Sequence, residues 1–144
     1  EFVDHVDGCT IHESDHLFAT RLWQNNSKVH FDVNARGDNK RLIYGGHIIS
    51  LVRALSFNGL ENAQIIFAIN GGSHVNPVFA EDTIYAWSEV LEKFDFKSRN
   101  VTALRLRSVG SKVRDKKMLL KDKEGNYLPN IVLDFDYWVL IPKF

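Results

Sequence analysis

A short polar stretch, "NNSKVHFD" at residues 25 to 32, holds the residues whose types and spacing could do chemistry. His30 lies five residues after Asn25 and two before Asp32. Histidine is the one side chain whose unperturbed pKa lies near neutrality, so it can both take and give a proton. Asn25 cannot take a proton at neutral pH. Its carboxamide can still donate to and accept from a water molecule, and so place one. Asp32 could orient or charge-tune the imidazole, because residues i and i+2 share a face of an extended chain. The same residue types also build ordinary turns. Read alone, His30 is either a proton carrier or the end of a turn, Asn25 a water holder or a turn residue, and Asp32 a turn or cap residue.

Two further clusters stand out. "RLIYGGHI" (41 to 48) gathers Arg41, Tyr44, Gly45, Gly46 and His47 just ahead of an apolar run. The glycine pair either lets the backbone approach a ligand or allows tight helix–sheet packing. "NGGSHVNP" (70 to 77) sets His74 beside a second glycine pair, where it could line a pocket. His5, His12 and His16 have no evident partner, and no ligand spacing points to a metal site.

The elements that must position these groups follow from periodicity. Residues 2 to 10 read as a short strand. Thr10 and Glu13 have capping-box spacing, and a helix is expected from about Ile11 to Trp23 with Leu17, Phe18 and Leu22 toward the core. Ile48, Ile49, Leu51, Val52, Ala54, Leu55 and Phe57 leave the next helix almost no polar face, the pattern of a buried helix. Asn58 and Gly59 would close it. The period then switches to two. Strands are expected at 63 to 69, 82 to 94, 101 to 109 and 130 to 142, with residues 110 to 129 as a solvated loop or hairpin. In the last strand Ile131, Leu133, Phe135, Tyr137, Val139 and Ile141 share one face, opposite Asp134 and Asp136. One buried helix wrapped by long antiparallel strands is an α+β arrangement, the pattern of a hotdog fold.

Composition bounds the partners. The 144 residues fit one domain with a real core, and 18 basic side chains balance 18 acidic ones. Such a balance gives no overall field to draw in nucleic acid or an anionic membrane. No apolar run approaches ~20 residues, so no spanning helix is expected. There is no signal or lipidation motif. Cys9 is the only cysteine, which excludes an internal disulfide. A cytoplasmic setting is expected. The chain starts at Glu1 without methionine, as a piece of something longer would.

Six ordered segments resemble the MaoC-like hydratase branch of the hotdog superfamily. They are "HVDGCTI", "ATRLWQNNSKVHFD", "RLIYGGHIISLVRALSFNGLENA", "AINGGSHVNPVFAEDTIYAWSEVL", "ALRLRSVGSK" and "VLDFDYWVLIPK". The match is weakest at 33 to 40 and 112 to 128. The resemblance implies a hydro-lyase that adds water reversibly to an enoyl-CoA, mesaconyl-CoA giving β-methylmalyl-CoA. It implies no cofactor, since coenzyme A is part of the substrate. Such enzymes are typically two fused hotdog halves, and this chain resembles the C-terminal one. Pairing with a second hotdog domain, or as a homodimer, is therefore expected.

Hydration of an enoyl thioester needs a base to activate water for attack at C3, an acid to protonate C2, and donors for the enolate-like thioester oxygen. R-specific hydratases of the superfamily use the pattern D-x-N-P-x-H for the first two. Laid over this chain, the histidine is His30 and the aspartate position is Asn25, with Ser27 and Lys28 where the pattern has Asn and Pro. That departure leaves His30 most of the proton traffic. "RLIYGGHI" matches the family's "RPIVHGML", so Gly46 takes the place of the glycine whose N–H faces the thioester oxygen, and Gly45 replaces a histidine. A substrate carboxylate would need a cation, for which Arg41, Lys28 and Arg53 are candidates, and the coenzyme phosphates could meet residues around 112 to 117. The rivals are another acyl-CoA hydratase or a thioesterase on the same fold, and a non-catalytic half paired with a catalytic one.

Overall fold

The computed structural model describes residues 1–63, 65–97 and 99–143. Five strands form one antiparallel sheet: β1 (Phe2–Thr10), β2 (Ile65–His74), β3 (Thr83–Asp95), β4 (Val101–Ser111) and β5 (Ile131–Pro142), in the order β1-β3-β4-β5-β2. Gln64, which falls in the expected strand 63 to 69, lies outside the described residues. That strand runs further than expected, through Gly71 and Gly72 to His74, because its ladder with β5 continues to Leu133.

Helix α2 (Gly45–Leu55) packs chiefly against β1, β3, β4 and β5. Ile48 and Val52 are fully buried against Leu106, Phe135, Tyr137 and Val139. Burying side chains of this size contributes roughly 1.5–3 kcal/mol each. The expectation of an all-round buried helix needs correcting. Ser50 and Ala54 are exposed and Phe57 is 60% exposed, so one flank of α2 is open. Beyond α2 the chain breaks at Asn58 and Gly59, where Gly59 takes φ +93°. L side chains rarely adopt that value, so the glycine is needed there.

A buried polar chain runs under α2 and has one direction. The Asn58 carbonyl can only accept, so His5 Nδ1 donates to it (2.7 Å) and His5 Nε2 accepts from Ser88 Oγ (2.8 Å). Ser88 then accepts from Ser108 (2.7 Å), Ser108 from Tyr137 Oη (2.9 Å), and Tyr137 from Arg53 (3.1 Å). Arg53 also donates to the Ala63 carbonyl (2.7 Å), which answers how a cation sits on this helix.

The opposite face of the sheet is covered too. Met118, Leu120, Tyr127 and Leu128 pack on Trp87, Val109 and Ile131, so residues 110 to 129 do more than meet solvent. Ile131 clusters here rather than with Leu133 and Phe135 as expected, because the β4–β5 register shifts at Ser111. Asp134 and Asp136 lie on that face as expected, each in a two-pronged ion pair: Asp134 with Arg107 (2.8 and 2.9 Å) and Asp136 with Arg105 (3.0 and 2.7 Å).

Helix α1 (Glu13–Leu22) corrects two further expectations. Thr10 does not cap it. Its hydroxyl bonds Thr83 across β1 and β3 at 2.8 Å, and the residue before the helix is His12, which makes no cap bond. Phe18 and Leu22 are 66% and 61% exposed, while His16 and Thr20 are buried. The buried face was therefore chosen by hydrogen bonding rather than hydropathy.

Candidate active site

An open cavity of about 650 Å³, within the usual range for small-molecule sites, is lined by His30, Leu42, Tyr44, Gly45, Gly46, His74 and the segment 75 to 78, with Ile48 and Ile49 of α2 as its floor. The structure thus brings together five of the residues singled out from sequence: His30, Tyr44, Gly45, Gly46 and His74.

His30 ends a single 3₁₀ turn, Lys28–His30. Its Nδ1 donates to the Leu42 carbonyl at 2.8 Å. A carbonyl can only accept, so the neutral ring carries its proton on Nδ1 and presents Nε2 as a lone-pair acceptor. The Leu42 N–H returns to the Val29 carbonyl at 2.9 Å, which joins the two ends of the segment 31 to 41. The Tyr44 ring stands edge-on to the imidazole, with centroids 5.8 Å apart.

The helix start faces the same space. Tyr44 makes no side-chain cap, so the amides of Gly45 and Gly46 have no partner inside the helix. Those amides and the positive dipole end favour developing negative charge. Both glycines leave room that the rings of His74 and Tyr44 occupy. A Cβ on Gly45 would collide with the His74 imidazole, and one on Gly46 would lie 2.6 Å from the Tyr44 ring. Solvent reaches His74, but partial desolvation lowers its pKa from the usual histidine value.

The other expected residues lie outside the cavity lining. Asn25 Oδ1 accepts from the Ser27 N–H (2.9 Å), a side-chain turn in place of the expected view of the cavity. Asp32 Oδ1 accepts from the Asn34 N–H (2.9 Å) and caps the next turn. Arg41 pairs with Glu13 (2.6 Å) and donates to the Phe31 carbonyl (3.0 Å). His47 packs near His16, centroids 6.5 Å apart, with burial lowering its pKa. Of the cations around 112 to 117, Lys112 pairs with Asp82 (2.8 Å) and Arg114 with Asp4 (2.7 Å). Among the described residues no group of His, Cys, Asp and Glu is placed to hold a metal ion. No helix among them is long and apolar enough to cross a membrane.

Sequence reasoning missed two contributors. Asn76 lines the cavity, and its carboxamide is anchored to the Leu128 and Ile131 carbonyls (3.2 and 2.7 Å). His16 lies behind the cavity wall and touches both site segments. Nothing in the sequence sets it apart from His12.

No family model matches the chain. Over 143 residues it is 57% identical to mesaconyl-CoA hydratase of Cereibacter sphaeroides, covering 99% of this chain and 42% of the relative. It is 54% identical to β-methylmalyl-CoA dehydratase of Chloroflexus aurantiacus, again over 99% of this chain and 42% of the relative. The chain therefore spans about two-fifths of the length of these relatives. A crystal structure of a MaoC-domain dehydratase from Chloroflexus aurantiacus superposes with a TM-score of 0.95 at 54% identity, over all of this chain and 42% of that one. A double-hotdog protein of Mycobacterium tuberculosis shares the fold, with a TM-score of 0.74 at 16% identity, over all of this chain and 42% of that one. Element order, sheet topology and these likenesses agree: the chain has the hotdog fold, and its sequence is similar to one part of these longer hydratase and dehydratase relatives.

Proposed function

We propose that this domain carries a hydratase site for an enoyl-CoA thioester, with mesaconyl-CoA and β-methylmalyl-CoA as the substrate pair. The observation that carries the reading is the juxtaposition of a tautomer-fixed imidazole and an uncapped helix start on one cavity. In the forward direction His30 Nε2 takes a proton from water as the oxygen bonds to C3. The electron pair of the double bond moves toward the thioester oxygen, where the Gly45 and Gly46 amides hold the charge. The enolate then collapses and C2 takes the proton from the imidazolium. His30 thereby serves as base and acid in turn. Asn25 enters by closing the turn that delivers His30. Substrate specificity rests on the apolar floor of Ile48 and Ile49 and on His74 and Asn76 at the wall.

The relatives named above are described as acting on this substrate pair, and the sequence covers only part of each. A second reading, a non-catalytic half, is favoured by Asn25 at the aspartate position. The experiment that separates them is mesaconyl-CoA hydration by the full-length protein carrying His30→Asn. Loss of turnover supports a site here. Wild-type turnover with the fold intact places the chemistry elsewhere.

Assembly belongs to the same proposal. β2 is an edge strand on which Ile65, Phe67 and Ile69 are exposed. A bare apolar edge invites strand pairing, and the open flank of α2 needs a cover. A second hotdog domain, in the same chain or a second copy, supplies both. Sedimentation of the isolated 144-residue chain at micromolar concentration as a stable monomer would count against this.

A further inference from the structure

His16 is completely buried and makes one hydrogen bond to each of the two segments that build the site. Its Nε2 lies 2.8 Å from the His30 carbonyl oxygen, and its Nδ1 lies 3.1 Å from the Tyr44 amide nitrogen. The partners leave one proton arrangement. A carbonyl can only accept, so Nε2 must carry the hydrogen. A backbone N–H can only donate, so Nδ1 must be bare. The ring is neutral, and its tautomer is the reverse of that of His30.

The two bonds land on functionally different pieces of chain. One holds the residue whose imidazole faces the cavity. The other holds the N-cap residue of α2, directly before the two glycine amides. Helix α1 fixes the strut at its own end, since Thr20 Oγ1 donates to the His16 carbonyl at 2.9 Å and the Asn25 N–H to the Thr20 carbonyl at 3.0 Å. From these contacts we infer that His16 is a positioning residue, a neutral strut that sets the separation between the proton carrier His30 and the amide-bearing start of α2, and that loses its hold on Tyr44 when it is protonated. The inference rests on the reading of His30 and Gly46 given above and adds a regulator of that site.

Protonation breaks the strut for a geometric reason. Imidazolium carries N–H on both nitrogens, so Nδ1–H would point at the Tyr44 N–H in a buried space with no acceptor between them. The surroundings resist the charge. Burial is the largest cause lowering the His16 pKa, and the rings of His30 (6.4 Å) on the 3₁₀ turn and His47 (6.5 Å) on α2 would oppose a cation beside them. The acidic group that favours the charge is Glu13 on α1, which is held by Arg41. Neutral His16 is therefore the resting state, and acidification is what releases the strut.

The test uses full-length protein, mesaconyl-CoA as substrate, and three forms: wild type, His16→Gln and His30→Asn. Glutamine keeps a donor for the His30 carbonyl, loses the acceptor for Tyr44 and cannot titrate. Misplacing a catalytic group by about 1 Å can cost about 10²-fold in rate. His16→Gln should therefore lower kcat roughly 10–100-fold with little change in KM, and should flatten the acid side of the pH profile. Imidazole ¹⁵N spectra of the unmutated protein give a readout independent of whether the variant folds. They should show His16 as the Nε2–H tautomer at neutral pH, with protonation accompanied by a shift of the Tyr44 amide. Wild-type kcat and an unchanged acid limb in His16→Gln, or a His16 ring found as the Nδ1–H tautomer or as imidazolium at neutral pH, would overturn the inference. Full activity in His30→Asn would instead sink the functional reading beneath it.

Discussion

The Nδ1 of His30 and the carbonyl oxygen of Leu42, twelve residues apart in sequence, are 2.8 Å apart in space. That contact holds the loop through one nitrogen, and under the proposed function it leaves the other for chemistry in the cavity that His30 lines. Asparagine can reproduce the first nitrogen but not the second. His30→Asn should therefore keep the thermal midpoint within a few degrees while cutting turnover by about 10²–10⁴-fold, the usual worth of a positioned general acid or base. His30→Ala should lose the same activity and also the link to Leu42, adding about 0.5–1.5 kcal/mol of destabilisation in a urea titration.

Gly45 offers a different split. A methyl group there must displace the His74 ring, at a rotamer cost of roughly 0.5–1.5 kcal/mol. Alanine in a helix regains about 0.5–1 kcal/mol over glycine. Gly45→Ala should therefore be nearly neutral in stability and yet lower kcat/KM by roughly tenfold or more, because His74 is pushed into the cavity. Steady-state kinetics beside a melting curve would check both halves.

The chain from Arg53 to His5 predicts a pH dependence of stability with a definite sign. Burial lowers the folded-state pKa of His5 below its ordinary 6.5, and those of His16, His47 and His74 move the same way. Below about 6.5 the unfolded chain binds these protons while the folded chain does not. Stability therefore rises with pH across that window and is lost as pH falls through it. Melting temperatures should drop from pH 7.5 toward pH 5. The drop should shrink in His5→Gln, whose carbonyl oxygen can still accept from Ser88 and cannot be protonated.

Arg107 and Asp134 make the most enclosed ion pair on the outer face of the sheet, and Tyr127 Oη adds a third bond to the carboxylate at 2.8 Å. Arg107→Met should cost about 1–3 kcal/mol, because it strands a nearly buried carboxylate. Adding Asp134→Asn removes that stranded charge and should recover at least half of the loss. Urea midpoints of the single and double variants decide this, and equal midpoints would show that the pair contributes little.

Periodicity read the architecture well where the driving force was apolar area. The α2 run and the alternation in β5 are hydrophobic signals, and both led to the right elements. It failed where a polar group does the packing. His16 and Thr20 line the inner face of α1 through hydrogen bonds, which no hydropathy pattern registers, while Phe18 and Leu22 face outward. Spacing alone also misassigned Thr10, because a hydroxyl near a helix start can equally pair across a sheet. In the site, His30 and the glycine pair were legible as residue types, whereas the Leu42 carbonyl and the His16 strut involve main-chain atoms that any sequence would have. Asn25 was read from a motif position, and its side chain turned out to be committed to Ser27.

The hydrogen bonds that tie Val29 and His30 to Leu42 have one more effect. They pinch the stretch from Phe31 to Arg41 shut at its base, helped by Arg41 Nε on the Phe31 carbonyl. A closed loop feels its own length only through closure entropy, and doubling that length costs only about 0.6 kcal/mol. Gly37, at the exposed tip, has nothing within 4 Å of where a side chain would begin. Insertions there lengthen the loop without moving its feet, so this stretch can drift in length and composition while the imidazole stays in register with the helix it serves.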